Sequence, residues 1–407
     1  MEQVQSAALA PRPDHVPLDR VIEFDLYALP GGEDDAQAAY WRFQQDCPEV
    51  FWTPFNGGHW VATRADIVEA MLRDPSTYSS NRVFLPRDDN APRTVPLEAD
   101  PPVHTEMRKP LSRGLFPKAV DAMEPSIREL ATSLIDGFVD RGGCEFVGEF
   151  ANVFPMNIFL DLIELPRTER EVLLPIVEAF IKGGSIEVRN EAQMKLFAYI
   201  GEVVRQRRVT PGDDLGSMIV NSTVAGERIG EMEAISYMTL LLLGGLDTIA
   251  SMLSFITKFL AEHPEHRRAL VANLEDDVYV KRAMEELFRR FGIVNAGRVL
   301  TRDVEVAGAT LRANDTVFPV NLLVGLDDRL HDDPLKVDFG REKSARHLTF
   351  GAGPHSCPGS QLARREITIF LREWLRRIPD FAVKPGTRPK TIMGVTISLH
   401  SLDLVWP

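Results

Sequence analysis

Cysteine is scarce in this chain: three in 407 residues, at Cys47, Cys144 and Cys357, far apart and with no CxxC pair. So odd and scattered a set argues against a disulfide framework and a structural zinc site, and fits a reducing cytoplasm. Positive charge is also short. Lys and Arg total 46 against 59 Asp and Glu, a formal net charge of −13, so the surface as a whole does not favour nucleic acid or an anionic membrane. The N-terminal MEQVQSAALAPRPDH lacks a basic start followed by an apolar stretch, and no signal peptide or anchor is expected. There is no internal repeat and no low-complexity linker. One long apolar run is present, YMTLLLLGGLDTIASMLSFI. Its length would span a bilayer, but Asp247 near its centre, a glycine pair and the lack of flanking basic clusters favour a buried helix.

What the sequence does contain is helical periodicity. Length alone would suggest two or three domains, yet from about residue 120 apolar residues recur at three- and four-residue spacing, as in EPSIRELATSLIDGFVDR and QMKLFAYIGEVVRQRR. A long helix is predicted from about Glu231 to Glu262, ended by Pro264, and another through DDVYVKRAMEELFRRF, stopping at Gly292 as its C′ residue. Before them VFWTPFNGGHWVATR reads as a β-hairpin turning at Asn56-Gly57-Gly58. After them come short strands in GRVLT, VEVAG and TVFPV, then an irregular stretch, then a helix opened by Pro358. The expected class is mainly α, one large helical domain carrying small strand elements.

The stretch FGAGPHSCPG sets Cys357 among three glycines just before that last helix. Unpaired N–H groups at a helix start favour negative charge, which would lower the thiol pKa. Three readings compete. A lone cysteine is most often a buried structural residue. A nucleophile needs a general base; His355 is two residues away, but no third member is identifiable. An axial ligand to heme iron accounts together for the glycines, for Phe350 and for the helix that follows.

Phe350, Gly353, His355, Cys357 and Gly359, in the order F-x-x-G-x-H-x-C-x-G, resemble the heme-binding signature of the cytochrome P450 family. Three further segments agree in their order along the chain. Glu286 and Arg289 match the family's E-x-x-R, a pair on one helix face whose alternative reading is a solvated surface pair; Arg341 is the candidate third member. Gly244-Gly245-Leu246-Asp247-Thr248 lies inside the long apolar helix, where two glycines cost about 1 kcal/mol each relative to alanine. Close helix packing would explain the glycines but not a buried carboxylate. DPPVHTEMR places His104 and Arg108 four residues apart. The resemblance runs from about the hairpin to the C-terminus and is greatest to the bacterial camphor-hydroxylase branch. It implies one catalytic domain over residues 41–407, with 1–40 matching least.

The resemblance implies a cytochrome P450 fold around a buried heme b (iron protoporphyrin IX), with Cys357 as the axial thiolate. It implies that His104, Arg108, Arg298 and His355 bind the heme propionates, that Phe350 and Gly351 lie against the heme, and that the long helix is distorted where Asp247 and Thr248 deliver protons to dioxygen. The Glu286–Arg289 pair is structural. Val83, Phe84, Leu240, Leu243, Gly244 and Val294 are the candidate substrate pocket, with Leu85 nearby. The camphor enzyme anchors its ketone through a tyrosine, whereas this chain has none between Tyr78 and Tyr199, and Pro92 falls near that position. A small hydrophobic terpenoid or norisoprenoid other than camphor is the expected substrate. With no flavin- or NAD-binding fingerprint, electrons are expected from a two-iron ferredoxin and its NADH-dependent reductase. Docking is expected at Arg108, Lys109, Arg346, Arg364 and Arg365. No membrane or nucleic-acid partner is expected. A peroxygenase or isomerase, or a heme-based sensor, are the other readings.

Overall fold

The protein is described by a computed structural model over residues 9–182, 185–341 and 345–407. Part of the N-terminal segment and Glu342, Lys343 and Ser344 of the irregular stretch lie outside the described residues. The long helix, Glu231–Glu262, ends as expected before Pro264. Glu233 accepts from the Gly230 amide at 3.1 Å and closes its first turn. It packs on helices Ile186–Val209 and Val153–Leu162, and most of its apolar stretch is inside the domain. Length and hydropathy alone would let it cross a membrane; packing makes it the core helix.

The hairpin forms as read. Val50–Thr53 pairs antiparallel with His59–Ala62, with Trp52 opposite Trp60. The turn needs left-handed backbone, at φ 52° for Asn56, 89° for Gly57 and 77° for Gly58. The hairpin is one edge of a five-stranded sheet that continues through Thr316–Pro319 and Arg298–Leu300 to Tyr78–Ser79. This crossover brings the strand that begins at Arg298 toward the chain's first hundred residues.

Four expectations need adjusting. The helix Asp277–Arg290 ends before Gly292, but Gly292 is not left-handed; a Cβ there would lie 3.0 Å from Leu322 Cα, so close packing selects glycine. The last helix starts at Ser360 rather than Pro358, with Gly359 as N-cap. Val304–Val306 has an unforeseen partner, Ala309–Leu311, joined by left-handed Ala307 and Gly308. Helices Ala36–Asp46 and Ala65–Arg73 precede the region read as helical; the first is capped by the Asp35 carboxylate accepting from Ala38 N at 3.0 Å.

Candidate active site

The cysteine loop takes its shape from two glycines in left-handed backbone, Gly351 at φ 68° and Gly353 at φ 67°. A Cβ on Gly353 would lie 2.4 Å from the Leu72 carbonyl oxygen, so no other residue fits. Cys357 N donates to Phe350 O at 2.8 Å, closing the loop on itself. Burial pushes the Cys357 thiol above its ordinary value, against the Gly359 amide, Arg108 and Arg364, which favour the thiolate. The expected lowering at the helix start is thus present as a force but outweighed by desolvation. Cys357 lies deep in the protein, yet its surface is accessible.

Below the loop, Phe288 meets Phe350 edge-on at 5.1 Å and the Arg364 guanidinium lies 4.4 Å from the Phe350 ring centre. Glu285 accepts from Arg364 at 2.5 Å and faces His347 Nε2 at 3.0 Å. Burial acts to raise the Glu285 carboxyl, but these two partners outweigh it and hold it at about 2. Arg364 is therefore a structural member of the loop's support. Arg365 pairs with Asp121 and Glu124, and Arg346 with Glu69. Of the charges expected at the docking face, Arg346, Arg364 and Arg365 are engaged within the chain. Lys109, Arg113 and Lys118 are exposed and form no ion pair among the described residues.

Beside the loop the structure gathers the four basic residues picked from three separate segments. The His104 and His355 rings lie 4.0 Å apart, and Arg108 donates to Ser356 O at 2.5 Å. Arg298 is buried and, among the described residues, donates only to carbonyls, Gly297 O at 2.7 Å and Ala296 O at 3.4 Å. Burial lowers Arg298 to about 10, and burial with the neighbouring cations lowers His104 to about 4 and His355 to about 3. The Nε2 atoms of both histidines are buried without a hydrogen-bond partner among the described residues. Crowded donors with so little to donate to are costly unless an anion joins them, and the two propionates of heme fit that demand.

The long helix carries the acid–alcohol segment. A Cβ on Gly244 or Gly245 would meet nothing within 4 Å, so close helix packing does not account for this pair; both face open space. The helix runs through this point without interruption, where a distortion was expected. The Thr248 hydroxyl donates to Gly244 O at 2.7 Å, and Asp247 is half-buried beside it. Leu240, Leu243 and Val294 are partly buried. Phe84 is 42% exposed, whereas Val83 at 1% is covered on all sides and backs the wall rather than lining it; Leu85 is buried. Pro92 is exposed. Two surface cavities, about 210 and 360 Å³, share no residue with this site.

Glu286 and Arg289 are fully enclosed, with Arg289 Nη2 2.8 Å from Glu286 Oε1, and Arg341 Nη2 approaches the same carboxylate oxygen at 3.2 Å. Arg289 also donates to Gly325 O and Pro334 O at 2.7 Å and to Lys336 O at 2.9 Å, tying the irregular stretch to its helix. The sequence reading missed the Glu285–His347–Arg364 network, although Glu285 stands next to the glutamate it did select.

A cytochrome P450 family model matches residues 156–404. The chain is 34% identical over 406 residues to the probable cytochrome P450 127A1 of Sinorhizobium fredii, covering 97% of each. It is 31% identical to the vitamin D3 dihydroxylase of Streptomyces griseolus, over 85% of this chain and 87% of that one. The crystal structure of cytochrome P450 CYP101C1 superposes with a TM-score of 0.88 at 36% identity, and that of CYP101J2 with 0.87 at 35%; each covers 98% of this chain and 100% of the other. Both lie in the camphor-hydroxylase branch. A heme-binding signature closed on itself around Cys357, and a long helix that carries a paired acid and alcohol, thus stand within a chain that belongs throughout its length to the cytochrome P450 family of heme-thiolate monooxygenases.

Proposed function

We propose that this protein hydroxylates a small hydrophobic substrate, a terpenoid or norisoprenoid, using dioxygen and two electrons delivered by a two-iron ferredoxin with an NADH-dependent reductase. The balance is RH + O₂ + two electrons + two protons giving ROH + water. Heme b bound through a cysteine thiolate supplies the dioxygen chemistry, the sulfur pushing electron density that favours O–O cleavage, as throughout this family. Of the three cysteines, Cys357 alone belongs to the glycine loop, and it is the assigned ligand.

The observation that carries this reading is the group of buried, under-satisfied donors beside Cys357. His104, Arg108, Arg298 and His355 would hold the propionates and orient the macrocycle, and Phe350 and Gly351 would lie against it. On the other side Thr248 holds a proton at its hydroxyl, donated in the resting helix to Gly244 O. Asp247 passes protons from solvent to that position. Leu240, Leu243, Val294 and Phe84 exclude water and hold the substrate by apolar contact, with Gly244 leaving room beside them. The absence of tyrosine across residues 79–198 supports a substrate held without a phenol hydrogen bond. Three widely spaced free cysteines suit the cytoplasm.

The test is the carbon-monoxide difference spectrum of the reduced protein. A long-wavelength thiolate band that Cys357→Ala abolishes is the expected result; its persistence in Cys357→Ala would refute the ligand assignment. Spin-state titrations with camphor, monoterpenes and norisoprenoids then sort substrates. A near-complete shift with camphor and efficient coupling would overturn the substrate class.

A further inference from the structure

The loop between Tyr78–Ser79 and His104 bridges the two walls of the site. At one end the Gly297 amide donates to Val83 O at 2.8 Å, next to Arg298 and three residues after Val294. At the other end, the Ser236 hydroxyl on the long helix accepts from Val95 N at 3.2 Å and donates to Arg93 O at 3.0 Å. Between these points the buried Glu98 carboxylate accepts from Val83 N at 3.1 Å and Thr94 N at 2.8 Å, drawing the two arms of the loop together. Tyr27 OH donates to Leu85 O at 2.8 Å from outside.

Ser236 stands four residues before Leu240, seven before Leu243 and eleven before Asp247. At 100° per residue these share one helix face, with Leu240 about 6 Å along the axis and Thr248 about 18 Å. The hydroxyl is thus on the stripe that forms the distal wall. It uses its acceptor and its donor together on two backbone groups of a single loop, so releasing the loop breaks both bonds at once. An alanine leaves Val95 N–H and Arg93 C=O to find water.

We infer that Ser236 is a positioning residue for substrate: by clasping residues 93–95 to the long helix it sets how close the loop lies over Leu240 and Leu243, and so the size and shape of substrate the site retains. The clasp does what a polar contact to the substrate would otherwise do, because an apolar molecule is oriented only by walls held in place. This inference rests on the reading of the space beside Gly244 and Gly245 as the substrate site.

The test compares Ser236→Ala and Ser236→Thr with the parent, all heme-loaded. The probes are imidazole, which takes little space beyond the iron, and 4-phenylimidazole, which also fills space along the helix, both followed by absorbance. Hydrogen exchange of a peptide covering residues 90–99 reports the clasp directly. Ser236→Ala is expected to weaken 4-phenylimidazole about five- to tenfold, leave imidazole within about twofold, and speed exchange of the Val95 amide about tenfold, with Ser236→Thr restoring all three. Unchanged exchange and unchanged affinity for the larger azole overturn the inference. Equal weakening of both azoles with a lower melting temperature also overturns it, since that marks a merely structural residue. A parent lacking the thiolate carbon-monoxide band overturns the functional reading and this inference together; a normal band with an indifferent Ser236→Ala overturns the inference alone.

Discussion

Thr248 and Glu366 illustrate two ways in which a helix carries a polar group, one at an open face and one in the interior. Thr248 satisfies its hydroxyl on the carbonyl of Gly244, a bond that can be exchanged without unfolding the helix. Thr248→Ala is therefore expected to bind substrate normally and to divert electrons to peroxide, read as a fall in product formed per NADH consumed. An unchanged ratio would remove Thr248 from proton handling. Glu366, on the last helix, is buried with Oε2 unpartnered, and burial pushes its carboxyl up to about 8. Its folded pKa lies above the unfolded one, so the native state binds the extra proton. Stability from this group is full below about pH 4.5 and is lost as pH rises toward 8. Glu366→Gln should lose that dependence. Melting temperatures should show the variant gaining on the parent between pH 5 and pH 8.5; a constant difference across that window would contradict it.

The elements around the cysteine are held by single, enclosed constellations rather than by extended sheet. The Glu286–Arg289–Arg341 cluster joins the helix Asp277–Arg290 to the Gly325 carbonyl and to two carbonyls, Pro334 and Lys336, of the irregular stretch that leads to the loop. Glu286→Ala leaves two guanidinium groups without their carboxylate, one of them fully enclosed. It should cost about 3–5 kcal/mol and reduce heme content with it, seen in urea denaturation and in the heme-to-protein absorbance ratio. A midpoint within error of the parent would make this a dispensable pair. Gly353 acts at the same scale. Its left-handed φ and its approach to Leu72 mean that alanine there displaces the helix Ala65–Arg73 or the loop, whichever is softer.

For the whole molecule, the charge balance and the local surface point in different directions. A net charge of −13 repels an acidic ferredoxin at long range, so docking needs a local basic patch. Arg346, Arg364 and Arg365 are spent on internal partners, and reversing Arg364 would expel Glu285 from beneath Phe350. Lys109, Arg113 and Lys118 are exposed and unpaired among the described residues, with Phe116 exposed between them. Lys109→Glu with Arg113→Glu should slow electron transfer from an acidic two-iron ferredoxin about tenfold at low salt, the gap closing as ionic strength rises. Stopped-flow reduction at several salt concentrations measures it, and rates indifferent to both charge and salt would place the docking face elsewhere.

The sequence by itself determined the family, the long core helix, the hairpin turn and the cysteine loop, because each rests on residues whose chemistry is local. Glycines at Gly57, Gly58, Gly351 and Gly353 are demanded by backbone dihedrals, and helix ends by Pro264 and by the Glu233 cap. It also picked out His104, Arg108, Arg298 and His355 through resemblance, though nothing local says they meet. Only the tertiary structure decided which side chains are spent on each other. It consumed Arg364 and Arg365 in ion pairs, covered Val83, gave Gly292 a packing reason instead of a dihedral one, and raised the Cys357 thiol that a helix start alone would lower. The physical reason is common to all of these. Burial, and partners found tens to hundreds of residues away along the chain, set the energy of a charged or polar group, and neither is written in its neighbours along the sequence.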